Sequence, residues 1–180
     1  MKIPASRGKN ARETGHPAGG GGNQPGVHGA GMVMSELVAY VDGGCLGNPG
    51  PSGIGVVISG CASGPVRIAK WIGHQDNNVA EYAALMEALQ YAVERKARKL
   101  HVYSDSEVVV RQMTGEYTCR SPRLYSLHWT CRKLARSLAF SISHVRREEN
   151  AEANGLAQSA LRRRRVGSSE PSIALLTRDV

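Results

Sequence analysis

Leu37-Val38-Ala39-Tyr40-Val41-Asp42-Gly43-Gly44 is an apolar run of strand character that stops on a carboxylate followed by two glycines. β-Branched and aromatic residues suit a pleated strand, and the glycines let the chain turn or another group approach the backbone closely. A carboxylate at the end of a buried strand is costly unless something compensates its charge. Two more acids stand in comparable places. Asp105 ends the short strand-like run Leu100-His101-Val102-Tyr103-Ser104, just ahead of a helical segment from Ser106 to Thr114. Glu81 falls within the apolar stripe of Val79, Tyr82, Ala83, Leu85, Met86, Leu89, Ala92 and Val93, which repeats at three- and four-residue spacing. Taken singly, a turn residue, a favourable charge near a helix start and a helix cap would account for Asp42, Glu81 and Asp105. Three carboxylates converging on one end of a sheet repel and raise one another's pKa unless a cation neutralises them. Hard oxygen ligands of this kind point to magnesium or manganese, not zinc.

Working outward from the first strand, further strand-like runs occupy about Gly53 to Ser59 and Val66 to Gly73, with the turn-rich Leu46-Gly47-Asn48-Pro49-Gly50-Pro51-Ser52 between the first two. Connections this short make the three strands antiparallel neighbours, because a parallel connection needs a crossover of a dozen or more residues. The helix expected from about Asn78 to Lys96 is long enough to serve as such a crossover into the strand at Leu100 to Ser104. Helices near Ser106 to Thr114 and Pro122 to Leu138 lead to a fifth strand at Phe140 to Val145, and a helix from about Asn150 to Arg162 closes the pattern. The order βββαβααβα predicts an α/β fold with a mixed five-stranded sheet and helices on its faces.

At 180 residues with 41% hydrophobic content, the chain has room for one domain with a proper core. Residues 1–34 hold nine of the 21 glycines and three prolines with almost no apolar periodicity, which predicts disorder. Cys45, Cys61, Cys119 and Cys131 show neither metal-ligand nor redox spacing, and free thiols in a reducing cytosol are expected. No apolar run approaches the roughly 20 residues that span a bilayer, and the start of the chain lacks a signal-peptide core. The expectation is a cytoplasmic protein without membrane contact.

The net charge of +8 divides into +3 for residues 1–34, +3 for residues 162–180 and +2 for everything between, so the tails hold most of the excess. Within the middle, Arg120, Arg123, Arg132, Lys133, Arg136, Arg146 and Arg147 occur without an acidic residue between Glu116 and Glu148. That stretch is a candidate phosphate-facing surface, although a solvated helix face would show the same pattern.

Three blocks in order, Tyr40-Val41-Asp42-Gly43-Gly44-Cys45-Leu46-Gly47-Asn48-Pro49-Gly50-Pro51, Asn77-Asn78-Val79-Ala80-Glu81-Tyr82 and Tyr103-Ser104-Asp105-Ser106, resemble the type 1 ribonuclease H family from about residue 36 to residue 162. The resemblance implies a ribonuclease H-like fold, with residues 35–162 as the catalytic domain between the 1–34 extension and a 163–180 tail. It implies hydrolysis of the RNA strand of RNA/DNA hybrids by two-metal-ion catalysis, leaving 5′-phosphate and 3′-hydroxyl ends. Magnesium is the implied cofactor and manganese its substitute. The implied partner is the hybrid itself, bound by a monomer that needs no other protein.

Carried onto this chain, the family's acidic metal-binding tetrad falls on Asp42, Glu81, Asp105 and, in His144-Val145-Arg146-Arg147-Glu148-Glu149-Asn150-Ala151-Glu152-Ala153-Asn154, on Asn154. The family usually has Asp at this last position. An amide offers a carbonyl oxygen but no negative charge, so one cation should be held less well. Glu152, two residues away on the same helix, points elsewhere and is not expected to substitute. Where many relatives carry a loop histidine, this chain has Arg147, which stays protonated and serves phosphate charge instead of acting as a base. The resemblance places Gly43, Gly44, Cys45 and Asn48 beside the RNA strand, Asn77 and Asn78 toward the bases and the DNA strand, and Asn150 among the substrate contacts. The alternative reading is a noncatalytic hybrid-binding domain, natural or inactivated by an engineered change at Asn154. An ATP-binding phosphotransferase related to actin-like ATPases is remote, because those proteins need a second domain to enclose the nucleotide.

Overall fold

The computed structural model describes residues 36–163; the expectations for the 1–34 extension and for the tail after Arg163 lie outside the described residues. Three strands come first, β1 (Glu36–Cys45), β2 (Gly50–Ser59) and β3 (Val66–Gln75), followed by α1 (Asn77–Glu94) and β4 (Lys99–Ser104). Then come α2 (Glu107–Thr114), α3 (Pro122–Ala135), β5 (Ala139–His144) and α4 (Ala151–Arg163). The strands form one sheet in the order β3-β2-β1-β4-β5. β1 and β3 run antiparallel to β2, while β1, β4 and β5 run parallel to one another. The expected meander and the two crossovers are both present.

The two faces of the sheet are covered differently. Leu37, Ala39 and Val41 of β1 alternate inward with Leu100 and Val102 of β4, and all are essentially inaccessible. Against them lies α1, which is also packed by α3 on its outer side. Helix α1 is therefore buried nearly all round, with Ala80, Tyr82, Ala84, Leu85, Met86, Ala88, Leu89 and Ala92 at zero exposure. A buried Tyr hydroxyl needs partners. That of Tyr82 donates to Gln112 Oε1 at 2.7 Å and lies 3.1 Å from His128 Nδ1, so it joins α1 to α2 and α3. On the opposite face α4 crosses β2, β1 and β3. Its approach is close enough that a Cβ on Gly55 would lie 2.0 Å from the carbonyl oxygen of Ala153, so only glycine fits there.

Element boundaries depart from the sequence reading at β2, which begins at Gly50 where a turn running to Ser52 was expected. Gly50, Pro51 and Ser52 pair with Gln75, His74 and Gly73, and the ladder shifts register at Ser52/Gly53. Pairing with β3 thus extends residues whose local preference is for a turn. Helix α3 ends at Ala135, three residues before the expected Leu138. All four cysteines are free. No helix among the described residues is long and apolar enough to cross a membrane.

Candidate metal centre

Asp42 and Asp105 meet because β1 and β4 are parallel neighbours. Val41 is opposite Ser104 in their ladder, so the next residue of each chain, a carboxylate in both cases, emerges at the same edge of the sheet. Glu81 reaches that edge from the second turn of α1. The helix can come so near only because residue 43 is glycine: a Cβ there would lie 2.1 Å from the carbonyl carbon of Ala80 and 2.3 Å from the nitrogen of Glu81. In this close approach the Gly43 N–H donates to Glu81 Oε2 at 3.2 Å. The start of α1 is set by Asp76, whose carboxylate accepts from the Val79 N–H at 2.9 Å and lies 3.4 Å from the Arg123 guanidinium of α3. Sequence reasoning passed over Asp76, although an acid just before a helical stripe is a recognisable cap.

One oxygen from each of Asp42, Glu81 and Asp105 lies within 4.8 Å of the others. Asp42 is 4% exposed and Glu81 7%. Burial, followed by the charge of Asp105, pushes the Asp42 carboxyl up to about 6, against a smaller opposing influence of the Arg147 guanidinium. Burial also drives Glu81 well above the usual carboxylate range, reinforced by Asp42 and Asp105 and resisted by the Gly43 N–H and by Arg147. Burial and the negative charges of Asp76 and Glu81 raise the thiol of Cys45. Burial and mutual repulsion disfavour the anions and outweigh the help from Arg147 and the Gly43 N–H, so the site is electrostatically unfinished without a cation. Three oxygen donors without sulfur or imidazole suit a hard divalent ion.

Asp42 and Glu81 open into a cavity of about 330 Å³ whose lining also includes Gly43, Gly44, Cys45, Asn77, Arg147 and Asn154. Asn154 projects from α4, and its Oδ1 accepts from Gln158 Nε2 at 2.6 Å one helical turn on. Its carbonyl oxygen therefore already has a partner. Gln158 escaped the sequence reading, although the four-residue spacing on a helix was there to be read. Glu152 points away and pairs with Arg67 of β3 at 2.6 Å. Asn48 is exposed and its Oδ1 accepts from the Asn77 N–H at 3.2 Å, while Asn77 Oδ1 lies 3.8 Å from Cys45 Sγ. Asn78 is exposed on the first turn of α1. One assignment needs correction. Asn150, expected to touch substrate, is 1% exposed, and both hydrogen bonds of its amide nitrogen go to protein oxygens, Val41 O at 2.9 Å and Asp105 Oδ1 at 2.8 Å.

Beside α1, the outer face of α3 presents Tyr125, Trp129 and Lys133 at four-residue spacing. Tyr125 is 62% and Trp129 56% exposed, and Lys133 Nζ stands 5.5 Å from the centre of the Trp129 ring. Trp129 thus faces outward. Next to it a second hollow of about 330 Å³ is lined by Tyr117, Tyr125, His128, Trp129, Arg132 and Arg136, among others. Exposed rings interleaved with cations give this surface planar apolar faces beside positive charge.

Residues 40–160 match the family model described as reverse transcriptase-like. Ribonuclease HI of Halobacterium salinarum is 37% identical over 125 residues, covering 68% of this chain and 63% of that protein. A bifunctional protein of Mycobacterium tuberculosis is 36% identical over 129 residues, which is 70% of this chain but 35% of its own length. The chain thus spans less than two thirds of these relatives. Among solved structures, RNase H1 from Halobacterium salinarum superimposes with a TM-score of 0.68 at 35% identity, covering 72% of this chain and 99% of that one. LC11-RNase H1 in complex with an RNA/DNA hybrid gives 0.66 at 34% identity, with 71% and 97% covered.

Proposed function

This chain belongs to the type 1 ribonuclease H family, and we propose that it cuts the RNA strand of RNA/DNA hybrids as an endonuclease, leaving 5′-phosphate and 3′-hydroxyl ends. The observation that carries the reading is the convergence within 4.8 Å of Asp42 from β1, Glu81 from α1 and Asp105 just past β4, beside a cavity that Asp42 and Glu81 line. Asp42, Glu81 and Asp105 would hold magnesium, or manganese in its place, with Asn154 as a neutral fourth donor. When bound, paired divalent cations stabilise charge on the attacking and leaving oxygens of a phosphodiester displacement.

The chain's own groups do the rest. Arg147, which lines the cavity, brings a permanent positive charge toward the phosphate and offsets the carboxylates. The backbone at Gly44, where a Cβ would meet nothing within 4 Å, lets an RNA strand come near enough for its 2′-hydroxyls to be recognised; Gly43 borders the same cavity, but its bare side is taken up by α1. Asn77, at the start of α1, borders the same cavity. The Tyr125, Trp129 and Lys133 face supports the sugar-phosphate backbone of the DNA strand by packing and charge, contacts that read no base sequence, so cleavage should be largely sequence-independent.

Asn154 favours a second reading, hybrid binding without turnover, because a carboxylate is missing at its position and its Oδ1 already accepts from Gln158. One assay separates the two. A hybrid labelled on its RNA strand is incubated with the chain and magnesium, beside Asp42→Asn. Cleavage that disappears in the variant supports the nuclease. Equal cleavage by both chains refutes it, and metal-dependent binding without cleavage selects the second reading.

A further inference from the structure

We infer that Asn150 is a positioning residue for the metal centre, its side-chain amide orienting the Asp105 carboxylate and tying β1 at Val41 to the start of α4. The inference rests on the proposed activity only insofar as Asp105 is a cation ligand.

Asn150 immediately precedes α4 and is 1% exposed. Its Nδ2 donates to the carbonyl oxygen of Val41, the residue before Asp42, and to Oδ1 of Asp105. Both amide hydrogens are thus used, one within β1 and one just past the end of β4. These contacts also fix the orientation of the amide, since the reverse would set Oδ1 against two acceptor oxygens. The main chain of the same residue is engaged as well. Its carbonyl accepts from the Asn154 N–H at 3.0 Å, and its N–H donates to the carbonyl of Arg147 at 3.2 Å. One residue therefore sets the spacing among Asp42, Asp105, Asn154 and Arg147, which arrive from three separate parts of the chain.

The arrangement is poorly suited to a residue that serves stability alone. Asn150 Oδ1 is buried without a hydrogen-bond partner, a state that disfavours folding. An amide nitrogen aimed at a carboxylate that already suffers repulsion from Asp42 is what a ligand-orienting group requires. Such a neutral donor holds Asp105 in one rotamer without cancelling its charge, leaving its other lone pairs for a cation. Lysine or arginine in this place would compete with the metal.

The test uses the full chain, with Asn150→Ala and Asn150→Ser. Serine retains a side chain suited to a helix start but is too short to bridge Val41 and Asp105. Manganese affinity is measured by calorimetry, melting temperature without metal by circular dichroism, and hybrid cleavage across a magnesium titration. Loss of a partner that orients a ligand typically weakens metal binding about 10- to 100-fold. Both variants should show a loss of that order, a hybrid KM within about twofold of the parent, and a kcat that partly recovers at high magnesium. Serine should melt closer to the parent than alanine while binding manganese no better. Should Asn150→Ser bind manganese like the parent, with only its melting temperature lowered, the inference is wrong and the activity assignment stands. Should the parent bind no manganese, both fall together.

Discussion

Asp42→Asn should make the metal-free protein more stable at neutral pH while abolishing cleavage. Asp42 is raised from an ordinary 3.8 to about 6 in the fold, mainly by burial and then by Asp105. Between these values the native chain holds a proton that the unfolded chain releases. The contribution of this group is therefore fully present below about pH 4 and is lost as pH rises through about 6. At 1.36 kcal/mol per pH unit, the difference amounts to about 3 kcal/mol of destabilisation at pH 7.5. Glu81 is pushed in the same direction by burial and by Asp42 itself, so removing the Asp42 charge also relieves Glu81. Asparagine keeps the shape and drops the charge. Urea unfolding in the presence of a chelator at pH 7.5 should show the variant's midpoint higher by about 1 to 3 M, given slopes of roughly 1 to 3 kcal/mol per M. At pH 4 the gap should close. Saturating magnesium should raise the parent's midpoint at pH 7.5 and leave the variant's little changed. Coincident midpoints in chelator at pH 7.5, together with a parent curve that does not move between pH 5 and 7.5, would refute the claim that these carboxylates are crowded and desolvated in the absence of a cation.

Asn154→Asp should restore a charged fourth donor, lowering the magnesium concentration for half-maximal hybrid cleavage because ligand charge tunes affinity for a hard cation, as read from a metal titration of initial rates. Gly43→Ala should fail to fold or lose all cleavage, because its Cβ would fall 2.1 Å from the Ala80 carbonyl carbon and α1 cannot retreat without carrying Glu81 away; circular dichroism and the hybrid assay distinguish those outcomes. The double variant Tyr125→Ala with Trp129→Ala should raise the hybrid KM with kcat preserved, since it removes a face that positions the duplex backbone without touching the metal centre, and fluorescence anisotropy with a labelled hybrid measures the loss directly.

The order of elements was legible because each carries a local signal: period-two and period-3.6 apolar patterns, glycine-rich turns, and connections too short for any but antiparallel neighbours. The three acids were legible for a related reason. Asp42 and Asp105 close strand-like runs and Glu81 interrupts an apolar stripe, and a charge in an apolar pattern advertises itself in one dimension. The fourth position was readable only through the motif around it, as Asn154 has no local feature that marks it. Tertiary structure alone decided the rest. Gly50 to Ser52 became strand because β3 supplied partners, against the turn preference of those residues. Trp129 faces outward because α3 buries Leu124, Leu127, Cys131 and Leu134 on the side toward α1, and short-range periodicity does not tell which side of a mixed helix finds a partner. Asn150 resembled a surface amide until the fold set it beneath Asp105 and Val41, residues 45 and 109 positions away. Local preference acts over a few residues and so names elements and unusual charges. Distances among groups far apart in the chain, and the burial that raises the Asp42 and Glu81 carboxyls, come into being only when the sheet closes and brings their fields and hydrogen bonds into one place.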